Sequence, residues 1–434
     1  MAQQEPNNTH WQYVLAASHE RIGDILLRRG ELDTALQQFQ ESLDLRQALV
    51  QRDPGNAEWR NVLAASHARL GDVHLQRGEL EAALASYRHS LEQEPNNTDW
   101  QYVLAAGQER IGDILLRRGQ LDTALQQFQA SLALCQALVQ RDPGNAEWRN
   151  VLAANYERIG DIQLKRGELD TALASYQKSL VLRQDLVNWE PNNTHWQYVL
   201  AASRERIGDI LLRRGELDTA LQHFQESLKL RQALVQRDPG NAEWRNVLAA
   251  SHERMGDTQL KRNELEAALA SYQKSLDLRQ ALAQQEPNNT HWQYVLAASY
   301  ERIGIILGQQ GDYAGAVEAE HKQLAILEDL IERQPQLKSE AATAYGSLAW
   351  YELLNRRPDA AIAAALKGLK LDASQIRINT NLAHGYLFSN QYEQAEAIYL
   401  KYKASILDDF RQFKERGLTH PDMDRVEHLL NDTK

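Results

Sequence analysis

The chain has 434 residues, 43% apolar and 25% charged, the proportions of a protein that folds around a core. Its formal net charge of -11 argues against a dedicated nucleic-acid binder, which needs Lys and Arg to neutralise phosphates, and disfavours anionic membrane surfaces. A single cysteine, Cys135, excludes an internal disulfide framework and a cysteine-based zinc site, and no secretory leader or membrane-length apolar run is legible. A cytoplasmic protein is expected.

The first elements are read from an opening that is itself informative. Residues 2–11, AQQEPNNTHW, recur letter for letter at 283–292, where they close one helix and open the next. Beyond them Trp11, Val14, Leu15, Ile22, Ile25 and Leu26 follow helical spacing, with Asn8 or Thr9 placed to cap the start. Gly30 ends this helix. A second begins near Leu32 and carries its own stripe at Leu32, Ala35, Leu36, Phe39, Leu43 and Leu49. The Gly30 place holds Gly78, Gly119, Gly167, Gly215, Asn263 and Gly311 later on, the two residue types that readily take a left-handed helix C-cap.

Continuing along the chain, the same helix pair returns. Prolines 6, 54, 95, 143, 191, 239, 287 and 335 lie 48 residues apart except for one gap of 41, and seven tryptophans from Trp11 to Trp292 keep the same beat. Odd units open PNNTHWQYVLAAS or nearly so and even units PGNAEWRNVLAAS, so the deeper period is 96 residues. The second unit reads SLEQE (90–94) where the sixth reads SLDLRQALAQQE (275–286). Seven missing residues are close to two helical turns and preserve facing, which predicts a shortened helix. Seven long units are expected at 1–53, 54–94, 95–142, 143–190, 191–238, 239–286 and 287–335. Two shorter units follow in 336–400, then a capping helix with an appended tail in 401–434.

The run IGDILLRRGELDTALQQFQESLDL (22–45) resembles the tetratricopeptide repeat through Ile22-Gly23, Gly30, Ala35, Phe39, Ser42 and the displaced Pro54. The resemblance covers about residues 6–400 and points to an elongated-helix variety of bacterial type. It implies an all-α fold, a right-handed α-solenoid superhelix of about nine helix-turn-helix repeats, since no pair can bury its stripe alone. In that family ligand-facing side chains commonly lie on the first helix around the Leu-Gly pair. Carried over, the candidate peptide-binding positions are Glu20, Asp24 and Arg28; Asp72 and Gln76, with Ala68 in place of the acid; and Glu109, Asp113 and Arg117. The later units add Glu157, Asp161 and Lys165; Glu205, Asp209 and Arg213; and Glu253, Asp257 and Lys261. The blander reading of these acids and bases is i, i+4 pairing on a solvated helix face, worth tenths of a kcal/mol. The Lys/Asn pattern that clamps a partner's terminal carboxylate is absent.

Other constellations carry less. The Trp row reads as the seam between units, each ring able to bury roughly 150–250 Å². Histidines in one register, such as His10, His195 and His291, would stand about 8–10 Å or more apart, too far for joint metal ligation. No GxSxG, GxxxxGK[ST], HExxH or CxxC pattern occurs, so neither catalysis, metal nor cofactor is expected. The N-x-T at Asn7–Thr9 is read as helix capping. Cys135 stands where Arg46, Arg183 and Arg231 stand elsewhere, which suggests a partly exposed flank. The expected function is a non-catalytic scaffold that binds a protein or peptide in its groove. The alternative is a sensor or docking arm of an effector system, such as a caspase-like protease, encoded upstream or in trans. Because residues 2–5 match the end of a second helix, the opening also suggests a start inside an array or self-association through the first unit.

Overall fold

The computed structural model describes residues 8–402 and 406–432; residues 2–5, which carry the helix-end sequence, lie outside them. Among the described residues there are α-helices and no strand. The first repeats are α1 (Thr9–Arg28) with α2 (Leu32–Arg52), α3 (Ala57–Gln76) with α4 (Leu80–Gln93), and α5 (Thr98–Arg117) with α6 (Leu121–Arg141). Next come α7 (Ala146–Lys165) with α8 (Leu169–Trp189), and α9 (Thr194–Arg214) with α10 (Leu217–Arg237). Then follow α11 (Ala242–Lys261) with α12 (Leu265–Gln285), and α13 (Thr290–Gln310) with α14 (Tyr313–Arg333). A 3-10 turn, Pro335–Leu337, leads to the shorter pairs α15 (Lys338–Leu354) with α16 (Pro358–Leu371) and α17 (Ile376–Phe388) with α18 (Tyr392–Lys401). The chain closes with α19 (Ile406–Glu415) and α20 (Met423–Asp432).

Local chemistry fixes these boundaries. The last Asn of each PNN or PGN caps the helix that follows: Asn8 accepts the backbone N–H groups of His10 and Trp11, and Asn145 that of Trp148. At the turns the glycines from Gly30 to Gly311 take φ between 75° and 84°, and Asn263 takes 62°, the left-handed conformation that stops a helix without a Cβ clash. The shortened helix is α4, 14 residues against 21 in α2, so the seven-residue deletion removes helix and nothing else.

The core repeats as faithfully as the turns. An aromatic ring from the second helix lies on a glycine of the first: Phe39 on Gly23, Tyr87 on Gly71, Phe128 on Gly112, Tyr176 on Gly160 and Tyr272 on Gly256. A Cβ added at Gly160 would come within 2.7 Å of the Tyr176 ring, which is 1% exposed and cannot retreat. Gly160→Ala is therefore expected to destabilise by roughly 1–3 kcal/mol through overpacking. A urea midpoint equal to that of the parent would refute it.

The chain forms two compact units, 1–210 and 211–434, with the division inside α9. In the first, helices α1 to α8 pack in chain order, α2, α4 and α6 each also touching the first helix of the next repeat. The outer repeat shows what stacking does. Ile22 and Ile25 are 47% and 57% exposed on α1, whereas their counterparts Ile159 and Ile162 on α7 are 7% and 0% exposed. In the second unit the core runs from α13 into the C-terminal helices, and Phe410, Phe413 and Val426 are fully buried. The expected tail is itself a helix, α20. Met423, Val426 and Leu430 give it a helically spaced apolar stripe, and the core takes it in.

The tryptophans are less buried than the seam reading implies. Trp292 is 8% exposed, but Trp11, Trp59, Trp100, Trp148, Trp196 and Trp244 are half-buried at helix starts. The turn supplies an acceptor for the indole N–H both of half-buried Trp196, from Glu190, and of buried Trp292, from Glu286, each at 3.2 Å.

Candidate partner-binding face of the first helices

The acidic candidates face into the repeat stack. Glu157 of α7, 10% exposed at its side chain, accepts from Arg183 of α8 at 3.0 Å, from the Ser179 hydroxyl at 3.1 Å and from the Ser203 hydroxyl of α9. Glu253 accepts from Arg279 at 2.7 Å, and Arg279 also donates to the Ser299 hydroxyl at 3.0 Å. Glu20 pairs with Arg46, which reaches Ser66 at 2.8 Å. One motif recurs: a glutamate of the first helix, an arginine 26 residues later on the second, and a serine on the next first helix.

The aspartates make a second set of links, from each repeat to the following one. Asp24 meets Arg69 at 3.4 Å, Asp72 meets Arg110 at 3.1 Å, Asp113 meets Arg158 at 2.9 Å and Asp257 meets Arg302 at 3.6 Å. Asp161 pairs with Arg206 in the same way. In even repeats the core tyrosine joins: Tyr87, Tyr176 and Tyr272 donate to Asp72, Asp161 and Asp257 at 2.9, 2.6 and 2.6 Å. Burial and these carboxylates push the three phenols above their ordinary range. Glu205 is buried and Asp209 half-buried at the corresponding places of α9.

The basic candidates behave differently. Arg28, Arg117, Lys165, Arg213 and Lys261 are exposed at the ends of their helices, as is Gln76, and none of the five cations joins an ion pair among the described residues. The structure thus links the acids to arginines on other helices and not to the bases four residues on.

Three of the seven long repeats lack the buried pair: in the seventh, Leu327 stands at the arginine place 26 residues after Glu301, and the second and third depart further. In the third, Cys135 occupies the arginine place. It is fully buried, not on an exposed flank, because the arginines it replaces are themselves buried at 5% side-chain exposure for Arg46 and Arg183. Asn155 stands in for the serine and donates to the Ser131 hydroxyl at 2.9 Å and to the Cys135 sulfur at 3.9 Å, filling the space that the guanidinium leaves. Burial pushes the Cys135 thiol up to about 12. Glu109, left without its arginine, is pushed up to about 7 by burial and then by Asp113. In the second repeat all three members are gone: Ala68 replaces the glutamate, the deletion in α4 removes the arginine, and Gly107 replaces the serine. The sequence shows the change at Ala68 and the change at Cys135 separately; the serine column, with Gly107 and Asn155, is what ties them together.

Among the described residues no group of His, Cys, Asp or Glu is placed to hold a metal ion, and no helix is long and apolar enough to cross a membrane. Family profiles described as tetratricopeptide repeat match residues 20–97 and 68–146, and another matches 200–239. No curated protein matches the sequence. Many solved structures are similar. The apo form of RapI shares 12% identity over 93% of this chain and 99% of its own, with a TM-score of 0.51. A Signal Transduction ATPase with Numerous Domains with a tetratricopeptide repeat sensor, PH0952 from Pyrococcus horikoshii, shares 13% over 91% of this chain and 55% of its own, with a TM-score of 0.52. The C-terminal part of a TPR repeat-containing protein from Cytophaga hutchinsonii shares 16% over 73% and 99%, with a TM-score of 0.46.

Proposed function

Because this chain is a tetratricopeptide-repeat protein, we propose that it is a non-catalytic scaffold that holds a protein or peptide along its first helices. The observation that carries this reading is the division of charge on those helices. Acids such as Asp24, Asp113 and Glu157 are committed to arginines within the stack, whereas Arg28, Arg117, Lys165, Arg213 and Lys261 stand exposed at recurring places and outside any ion pair among the described residues. Uncommitted cations in each unit, Arg28, Arg117 and Lys165 in the first and Arg213 and Lys261 in the second, suit an acidic extended or helical segment, and give association that weakens with salt. Asp24, Asp72, Asp113, Asp161, Asp209 and Asp257, with the glutamates beside them, then act by positioning the helices that present these cations.

Replacing the five cations by glutamine tests the proposal without touching a buried contact. Recovery of partners from the native host is expected to fall at least tenfold while helical content stays unchanged. Recovery equal to the parent at two salt concentrations would refute it.

A second reading, a sensor or docking arm for an effector in trans, draws support from the fold shared with PH0952, which carries a tetratricopeptide repeat sensor. It requires an effector that co-purifies with the chain and whose activity changes on binding. Self-association through α1 is a further proposal, supported by the exposed Val14, Ile22 and Ile25. Sedimentation that shows only monomer at high concentration would count against it.

A further inference from the structure

The second repeat departs from its neighbours in one place, and the departures coincide in space. The loss of glutamate at Ala68 and of the α4 segment that would carry arginine leaves a cavity of about 450 Å³ between α3 and α5, while the Tyr87 ring takes the space of the serine missing at Gly107. That volume lies in the range of small-ligand and side-chain pockets. Its walls are Ala65, Ala68, Val103 and Ala106, with the rings of Tyr87 and Tyr102 beside them. In repeats one and four the same register is filled by the buried ion pairs of Arg46 and Arg183.

From this geometry we infer that the cavity is an anchor pocket for an aromatic side chain of a peptide partner. The inference rests on the scaffold reading above and names one chemical feature of its ligand. Charge decides against ionic occupants. Each carboxylate on the wall already holds a donor: Glu20 holds Arg46, Asp72 holds Tyr87 and Arg110, and Glu147 holds Tyr102 at 2.8 Å. The two wall arginines are likewise engaged, Arg69 with Asp24 and Arg110 with Asp72. An entering carboxylate would lose its hydration and find no uncommitted cation, and an ammonium would find only Glu147, which is exposed at the rim and already holds the Tyr102 hydroxyl. A ring loses nothing comparable. It gains edge or offset contacts with Tyr87 and Tyr102, and the Arg110 guanidinium, 60% exposed at its side chain, is free to lie over its face while it keeps Asp72.

Site-directed tethering tests this on the full chain. Ala68→Cys places a thiol on the wall, and the only native thiol, Cys135, is fully buried with its ionisation suppressed, so the parent serves as the blank. The variant is equilibrated with benzyl, hydroxyethyl, aminoethyl and carboxyethyl disulfides in 2-mercaptoethanol, and capture is read by intact mass. The benzyl adduct is expected to be favoured at least tenfold over each of the others. Adding Ala106→Phe, which fills the cavity, should abolish that preference while the melting curve stays cooperative. Equal capture of the four probes, a preference for a charged probe, or a benzyl preference that survives Ala106→Phe would overturn the assignment. No partner is needed, so a negative result for the cations leaves this one readable on its own.

Discussion

Replacing Arg183 by methionine is expected to destabilise the 1–210 unit by roughly 3–5 kcal/mol, the cost of leaving a buried charge without its partner. Arg183 is 5% exposed at its side chain and reaches Glu157 at 3.0 Å and Asn150 at 3.3 Å. Burial lowers its pKa, yet the guanidinium stays charged at any ordinary pH. Without it Glu157 keeps the hydroxyls of Ser179 and Ser203 and a longer contact with Arg206 at 3.9 Å. The double variant Glu157→Ala with Arg183→Met should recover most of the loss, because removing both charges also removes their desolvation. The chain has made that exchange in its second repeat. Equilibrium unfolding in urea, followed by circular dichroism, reads both variants. A single variant within about 1 kcal/mol of the parent, or a double variant no better than the single, would show that the pair is not coupled as described.

The second large effect concerns repeat seven. There Glu320 occupies the place of Phe39 and Tyr272, 1% exposed, with its Oε1 3.1 Å from where a Cβ on Gly304 would lie. Neither carboxylate oxygen has a hydrogen-bond partner, and burial, then the charge of Glu301, pushes its pKa from 4.5 up to about 8. The sign follows from linkage. The folded state binds this proton more tightly than the unfolded state, so its contribution is fully present below pH 4.5 and is lost as pH rises to about 8. The change between pH 5 and pH 8 is on the order of 3 kcal/mol. Glu320→Phe, which restores the ring on Gly304, should be more stable than the parent at pH 8 by a similar amount and should flatten the pH profile. Parallel profiles for parent and variant would sink the assignment.

Much of the fold was legible because each device that makes a helix pair is local. Caps, left-handed turn residues and apolar spacing act within a few residues, and the loss of seven residues could be read as helix because only a helix keeps its facing. The candidate face was legible only in part. The sequence marks Glu20 and Asp24 as polar on a first helix, but spacing alone does not distinguish a partner four residues away from Arg46 or Arg69 on another helix. Column by column comparison would have gone further. The joint loss at Ala68 and Gly107 beside the α4 deletion, and the exchange of Cys135 with Asn155, mark residues that depend on one another. Cys135 is buried where its arginine counterparts suggest a flank, because Arg46 and Arg183 are themselves buried against compensating carboxylates. The half-buried tryptophans and the helical tail depend on how far neighbouring turns and helices reach over them, which no single unit specifies.

The aspartate–arginine links have a consequence for how such a molecule changes length. Each joins corresponding residues of adjacent repeats, as Asp113 joins Arg158 and Asp257 joins Arg302, so the junctions so linked present the same two chemical halves. Unequal recombination between near-identical stretches of the gene can then insert or excise whole pairs without stranding a charge at the seam. The lineage is free to try longer and shorter versions, and a departure such as the second repeat stands out as a place where interchangeability was given up.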